Sequence, residues 1–191
     1  MTQAARKRAT YEDVLAADPR QIAEVLDGVL HTQPRPALPH AQAASELAYE
    51  LIGPFRRGRG GPGGWHILIE PELHLGPEPD ILVPDLAGWR TSRLPRIPNE
   101  PFEIMPPDWV AEILSPSTTR TDRSIKLPIY QREQVGHVWL IDPQALTIEV
   151  LSLDGEGYRL LGVHAGRGPA RLEPFDAVEL ELGALWIGDD D

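Results

Sequence analysis

The chain has 191 residues and a mass of 21.2 kDa, enough for one domain with a continuous core. It contains no cysteine, which excludes a disulfide framework, thiolate zinc or iron–sulfur ligation and a cysteine nucleophile. The formal net charge is −11, and residues 136–191 hold 11 acidic against 3 basic residues, so any polyanion site belongs to the first two thirds.

Residues 1–9 read as a flexible tail. One domain is expected over residues 10–187, with an acidic, disordered end over residues 188–191. The basic N-terminus is followed by no apolar stretch, so no secretory signal is expected and the cytoplasm is the expected compartment. No apolar run approaches the ~20 residues of a membrane span.

Thr10, with Asp13 three residues on, predicts a capped short helix over Tyr11–Ala17. Gln21 to Leu30 reads as two strands around Asp27-Gly28, with a helix through Leu26 as the alternative. Pro34, Pro36 and Pro39 break regular structure. From His40 to Arg57, Ala44, Leu47, Ala48, Leu51 and Ile52 recur at helical spacing. Gly58 to Gly64 is a flexible loop, without the Lys-Ser/Thr ending of a phosphate-binding loop. Strands follow at Trp65–Glu70, Ile81–Val83 and Trp109–Leu114, the last apolar on both faces as a central strand requires. Thr121 to Gln134 is helical in spacing, and Pro128 must kink or interrupt it. His137–Ile141 is a strand. Leu146–Leu153 and Tyr158–Val163 form a hairpin through Asp154-Gly-Glu-Gly157, and Leu182–Trp186 is a short helix. The order indicates one α/β or α+β domain with a mixed sheet.

Within Trp109–Leu114, alternation puts Glu112 on the face of Val110 and Leu114. A carboxylate on an apolar face is costly unless it is paired or bound to metal. Asp85 ends an apolar stretch 27 positions earlier, a spacing that suits two adjacent strands joined by a long loop. The chain has 16 arginines but only two lysines, Lys7 in the tail and Lys126. Lysine is compact and tunable where arginine is not. Lys126 stands four residues from both Asp122 and Tyr130, on one helix face, where an Asp122–Lys126 salt bridge is the plain alternative. Two acids and a lysine at one sheet edge suit metal-assisted phosphodiester hydrolysis, with carboxylates holding Mg²⁺ or Mn²⁺.

Other features read as structural. The arginines at 56, 57 and 59, at 90, 93 and 96, and at 120, 123 and 132 are each read as solvated surface charge. The six histidines form no His-Glu-x-x-His motif and are assigned no catalytic role. The tryptophans are core or interface residues. Ser115 and Ser117 lack the Gly-x-Ser-x-Gly elbow of a serine hydrolase.

Thr10-Tyr-Glu-Asp13, Glu24-Val-Leu-Asp-Gly28, Pro39-His40, Val83-Pro-Asp85, Pro107 through Ser117, Asp122 with Lys126 and Tyr130, and Val138-Trp-Leu-Ile-Asp-Pro143 together resemble the Uma2 family of restriction-endonuclease-like proteins. The resemblance spans about Thr10 to Trp186. It implies a PD-(D/E)xK nuclease fold, a mixed central sheet flanked by helices. It implies Asp85 and Glu112 as metal carboxylates, the carbonyl of Ile113 as a further ligand, Lys126 as the active-site lysine and Glu24 as an extra acid. Tyr130, His40 and Asp122 become supporting or phosphate contacts. The usual lysine position, two residues after the second acid, is Leu114 here, and the lysine comes from the following helix. The expected function is a Mg²⁺- or Mn²⁺-dependent endonuclease acting on DNA. The alternative is a catalytically silent regulatory module on the same fold, working through protein contacts, with a homodimer through the C-terminal strands as an option.

Overall fold

A computed structural model describes residues 7–188. The acidic end at Asp189–Asp191 and the first six positions of the expected tail lie outside the described residues. Of the rest of that tail, Arg8 and Ala9 are engaged. The Ala9 N–H donates to Gly28 O at 2.8 Å, and Arg8 reaches Glu78 and Asp80.

α1 (Tyr11–Leu15) is capped as the sequence predicts, the Thr10 N–H donating to Asp13 Oδ2 at 2.8 Å. β1 (Gln21–Leu26) and β2 (Val29–Pro34) form the expected hairpin, and Asp27 and Gly28 both take positive φ, which a tight two-residue turn demands. The helix alternative through Leu26 is thereby excluded. The prolines break less than expected. β2 runs to Pro34, and α2 (Leu38–Leu51) begins before His40 with Pro39 in its first turn, where a missing N–H costs nothing. α2 continues into a π turn over Ile52–Arg56.

β3 (Trp65–Ile69), β4 (Leu73–Leu75), β5 (Asp80–Leu82), β6 (Leu86–Arg90) and β7 (Trp109–Ile113) follow. β4 and β6 were not expected. α3 (Thr119–Thr121), a π turn over Asp122–Lys126 and α4 (Leu127–Arg132) make one bent helical segment, with Pro128 at the start of α4. The break that Pro128 imposes is thus a π turn, which frees the carbonyl that a proline ring would otherwise strike. β8 (His137–Asp142), β9 (Thr147–Asp154), β10 (Gly157–Ala165) and a 3₁₀ turn over Leu182–Leu185 complete the chain.

The strands form two sheets. One has the order β2-β1-β5-β4; the other is six-stranded, β10-β9-β8-β7-β6-β3. In the larger sheet β7 and β8 are parallel and the other pairs antiparallel, so it is the mixed central sheet expected. One face packs Trp65, Trp109, Trp139 and Ile113 against α2 through Leu47, Leu51 and Phe55. The other packs Trp89, Val110, Val138 and Leu140 against Ile129 and Tyr130 of α4. All five tryptophans are buried, as a core role requires. Gly88 lets β6 run there: a Cβ on it would stand 3.2 Å from Trp109 and 3.4 Å from Trp65. Among the described residues no helix is long and apolar enough to cross a membrane.

Candidate active site

Asp85 stands where the chain leaves the small sheet after β5 and enters the large one at β6. In the β6–β7 ladder Leu86 pairs with Ala111 and Ala87 with Val110, so one further step sets Asp85 opposite Glu112. The carboxylate of Asp85 accepts the Ile113 N–H at 2.6 Å through Oδ2, while Oδ1 lies 3.1 Å from His40 Nε2. His40 comes from the first turn of α2. Its side chain and that of Asp85 are 12% and 14% exposed, which puts this pair at the mouth of a cleft.

Behind it the groups are buried. Glu112 points to the α4 side of the sheet, as alternation predicts. Its Oε1 accepts the Tyr130 hydroxyl at 2.5 Å and its Oε2 the Lys126 ammonium at 3.3 Å. Lys126 Nζ also meets Glu24 Oε1 at 3.0 Å and Asp122 Oδ1 at 3.7 Å. The Asp122 contact is the helical pair foreseen, and it is the longest of the three. Glu24 comes from β1 and is pinned by the Val83 N–H at 2.8 Å. The π turn carries both Asp122 and Lys126 inward, and each is 2% exposed.

The structure therefore brings together every residue singled out from the sequence. Glu24, Glu112, Asp122, Lys126 and Tyr130 form one connected set, and Asp85 with His40 stands beside it where Ile113 lines the cleft. Glu70, Gln33 and Thr118 line it too and were not singled out. Glu70 sits at a strand end before a proline, the same local pattern as a strand-end acid like Asp85, and that was the available signal. Leu114, at the usual lysine position, is packed in the apolar cluster around α4.

Three carboxylates meet one lysine, with Asp85 close by on His40, and this imbalance sets the electrostatics. Burial works against the Lys126 ammonium, but Glu112, Glu24 and Asp122 outweigh it and hold its pKa well above the ordinary lysine value. Burial pushes Glu112 well above the carboxylate range; Lys126 opposes this, and the neighbouring acids add to it. Asp122 rises to about 6, first through burial, with Lys126 and a Thr118 hydrogen bond pulling the other way. Burial disfavours the His40 imidazolium, yet its bond to Asp85 and the surrounding acids leave its pKa raised. Burial and Glu112 drive the Tyr130 phenol upward, so it stays a donor.

Among the described residues no three His, Asp or Glu side chains are already converged as a metal cage. Mg²⁺ does not need one: it is held through one or two carboxylates, with water and substrate oxygens filling the rest of its shell. The cleft leaves about 30 Å³ for solvent-sized groups, room for an ion or a pair of waters. Its hard oxygen donors and excess negative charge fit a divalent cation. His40 Nδ1 is buried without a hydrogen-bond partner.

The pattern of the Uma2 family, described as "Putative restriction endonuclease", matches residues 8–184. Among solved structures the chain is similar to a putative nuclease of DUF820 from Anabaena variabilis, with 22% identity, a TM-score of 0.74 and coverage of 93% of this chain and 97% of that one. This likeness establishes the restriction-endonuclease-like fold. No curated protein is similar to the chain at a significant level.

Proposed function

The chain belongs to the Uma2 family, and we propose that it is a metal-dependent endonuclease that hydrolyses DNA phosphodiester bonds in the cleft around Asp85. The observation that carries this is the seating of Glu112, Glu24 and Asp122 on Lys126, with Asp85 beside Glu112 in the same cleft, so that acids outnumber the one lysine. Asp85 and Glu112, with the Ile113 carbonyl, would hold Mg²⁺ or Mn²⁺. The bound ion would polarise the phosphoryl oxygen and lower the pKa of a water.

The chain's own residues do the rest. Tyr130 and Lys126 each hold one oxygen of Glu112, which fixes the orientation of that carboxylate. Lys126 stays cationic and offsets charge that develops on the phosphate. His40 holds Asp85 through Nε2 at the mouth of the cleft. Glu24, fastened to Val83, keeps Lys126 in place from the small sheet.

The test is cleavage of supercoiled and linear DNA with Mg²⁺ or Mn²⁺ and with chelator. The wild type should cut only with the ion, and Asp85→Asn and Glu112→Gln should each lose about a hundredfold or more. Unchanged cleavage by either variant would contradict the assignment. One observation favours a second reading: Glu112 and Lys126 are almost wholly buried and both Glu112 oxygens are already bonded. A silent module that keeps this network for stability would neither cut DNA nor take up the ion.

A further inference from the structure

The cleft lies at one end of the large sheet. At the other end, where α2 runs out, the surface has the opposite charge. Between Glu50 and Glu70 the sequence has no acidic residue but carries Arg56, Arg57 and Arg59, in a chain of net charge −11. All three are exposed. Seven other described arginines, from Arg8 to Arg159, face a carboxylate. No ion pair to Arg56, Arg57 or Arg59 occurs among the described residues. Arg90, Arg96, Arg120 and Arg171 also have no ion pair there, but no two of these are closer than six positions in the sequence.

The cluster is displayed on an ordered support. The Arg57 N–H donates to Ile52 O at 3.0 Å and the Arg59 N–H to Gly53 O at 3.0 Å, both within or just past the π turn. The glycine-rich loop then folds back, the Gly63 N–H reaching Pro54 O at 2.9 Å, and Gly61 lies so close to Pro54 that no side chain fits there. The loop expected to be flexible is therefore tied to the helix end. Beside it is a groove of about 380 Å³ lined by Ser45, Tyr49, Ile52, Arg57 and Arg59. The Tyr49 ring is 76% exposed. Leu38, Ala41, Ser45, Tyr49, Ile52 and Arg56 recur at three- and four-residue spacing, so the outward stripe of α2 leads to this cluster without a carboxylate.

We propose that Arg56, Arg57 and Arg59, with Tyr49 beside them, form a docking surface for the phosphate backbone of the DNA substrate, remote from the cleft. The choice of DNA rests on the nuclease reading above. Unpaired, forked guanidiniums on a fixed support suit phosphate oxygens, and their lack of internal partners means that binding breaks no ion pair. From His40 to Arg57 the helix rise of ~1.5 Å per residue gives about 25 Å. At ~3.4 Å per base pair that is about seven base pairs, so a longer duplex can meet both places. The surface would supply affinity and register without reading sequence.

The experiment is equilibrium binding of the full chain to a labelled duplex of about 20 base pairs across a salt series, with chelator and no divalent metal. The triple variant Arg56→Ala, Arg57→Ala, Arg59→Ala is compared with the wild type, and Arg159→Ala serves as a control for exposed charge. Each neutralised phosphate contributes ~0.9 to the slope of log K against log salt, so the triple variant should lose about 2 to 3 from it. Its low-salt affinity should fall about tenfold or more, while Arg159→Ala keeps the wild-type slope. A wild-type slope in the triple variant, or no binding by the wild type, would overturn the proposal. The two readings fail separately. A chain that binds through the cluster but never cuts DNA sinks the nuclease reading and keeps the surface. A chain that cuts DNA with an unchanged slope does the reverse.

Discussion

On one face of β7, Trp109, Ala111 and Ile113 meet α2 and Phe175 through apolar contacts. On the other, Val110 and Leu114 flank Glu112, which meets Lys126 and Tyr130. Both faces are buried to the same degree, and all five residues of the strand are inside. The first face is what packing alone would select. The second carries charge where an apolar residue of similar size would cost less. The π turn, the hairpin of β1 and the β5–β6 crossover thus converge on a charged group that apolar packing alone would not select.

The contrast can be broken most severely at Lys126. Lys126→Met removes the cation that three buried carboxylates share and should cost about 3–5 kcal/mol, read by chemical denaturation. A near-neutral result would mean that the acids are protonated together and the lysine is incidental. On the apolar face, Leu47→Ala leaves a cavity and should cost about 2–5 kcal/mol while leaving uptake of Mn²⁺ intact. Loss of uptake in that variant would show the two faces to be coupled. Tyr130→Phe removes a hydrogen bond to a charged group and should cost about 1.5–3 kcal/mol, with a weaker hold on the ion. The smallest effect is on pH. Asp122 titrates at about 6 in the folded chain against 3.8 for the ordinary side chain, so the folded state binds the extra proton between these values. Stability from this group is greatest below about 4 and is lost as pH rises to about 6. Asp122→Asn should flatten that segment of the melting-temperature profile, and an unchanged profile would remove Asp122 from the network.

Much of this arrangement was legible in the sequence, residue by residue. Glu112 declared itself as a carboxylate inside an apolar run, and Lys126 as the one lysine of the folded body. Asp85 could be set near Glu112 because 27 positions suit two neighbouring strands, which β6 and β7 are. Glu24 stands in a similar apolar run, Ile22-Ala-Glu-Val-Leu26, but nothing local says which neighbour it meets. It reaches Lys126 only because the small sheet abuts the large one, and its place came from the family resemblance alone. β6 was missed because Gly88 reads as a breaker, whereas the glycine is there to admit two indole rings. β4 was missed because three residues between a proline and a glycine leave no periodicity to detect. The inward turn of Asp122 and Lys126 depends on a π turn, which spacing arguments based on a regular helix do not foresee.

On the proposed function, the charged face holds a divalent ion between Asp85 and Glu112. Calorimetric titration of Mn²⁺ into the purified chain, with Asp85→Asn and Glu112→Gln in parallel, tests it most directly. The wild type should bind the ion, and binding should disappear in both variants while each remains folded. Absence of binding by the wild type, or equal binding in all three, would contradict it.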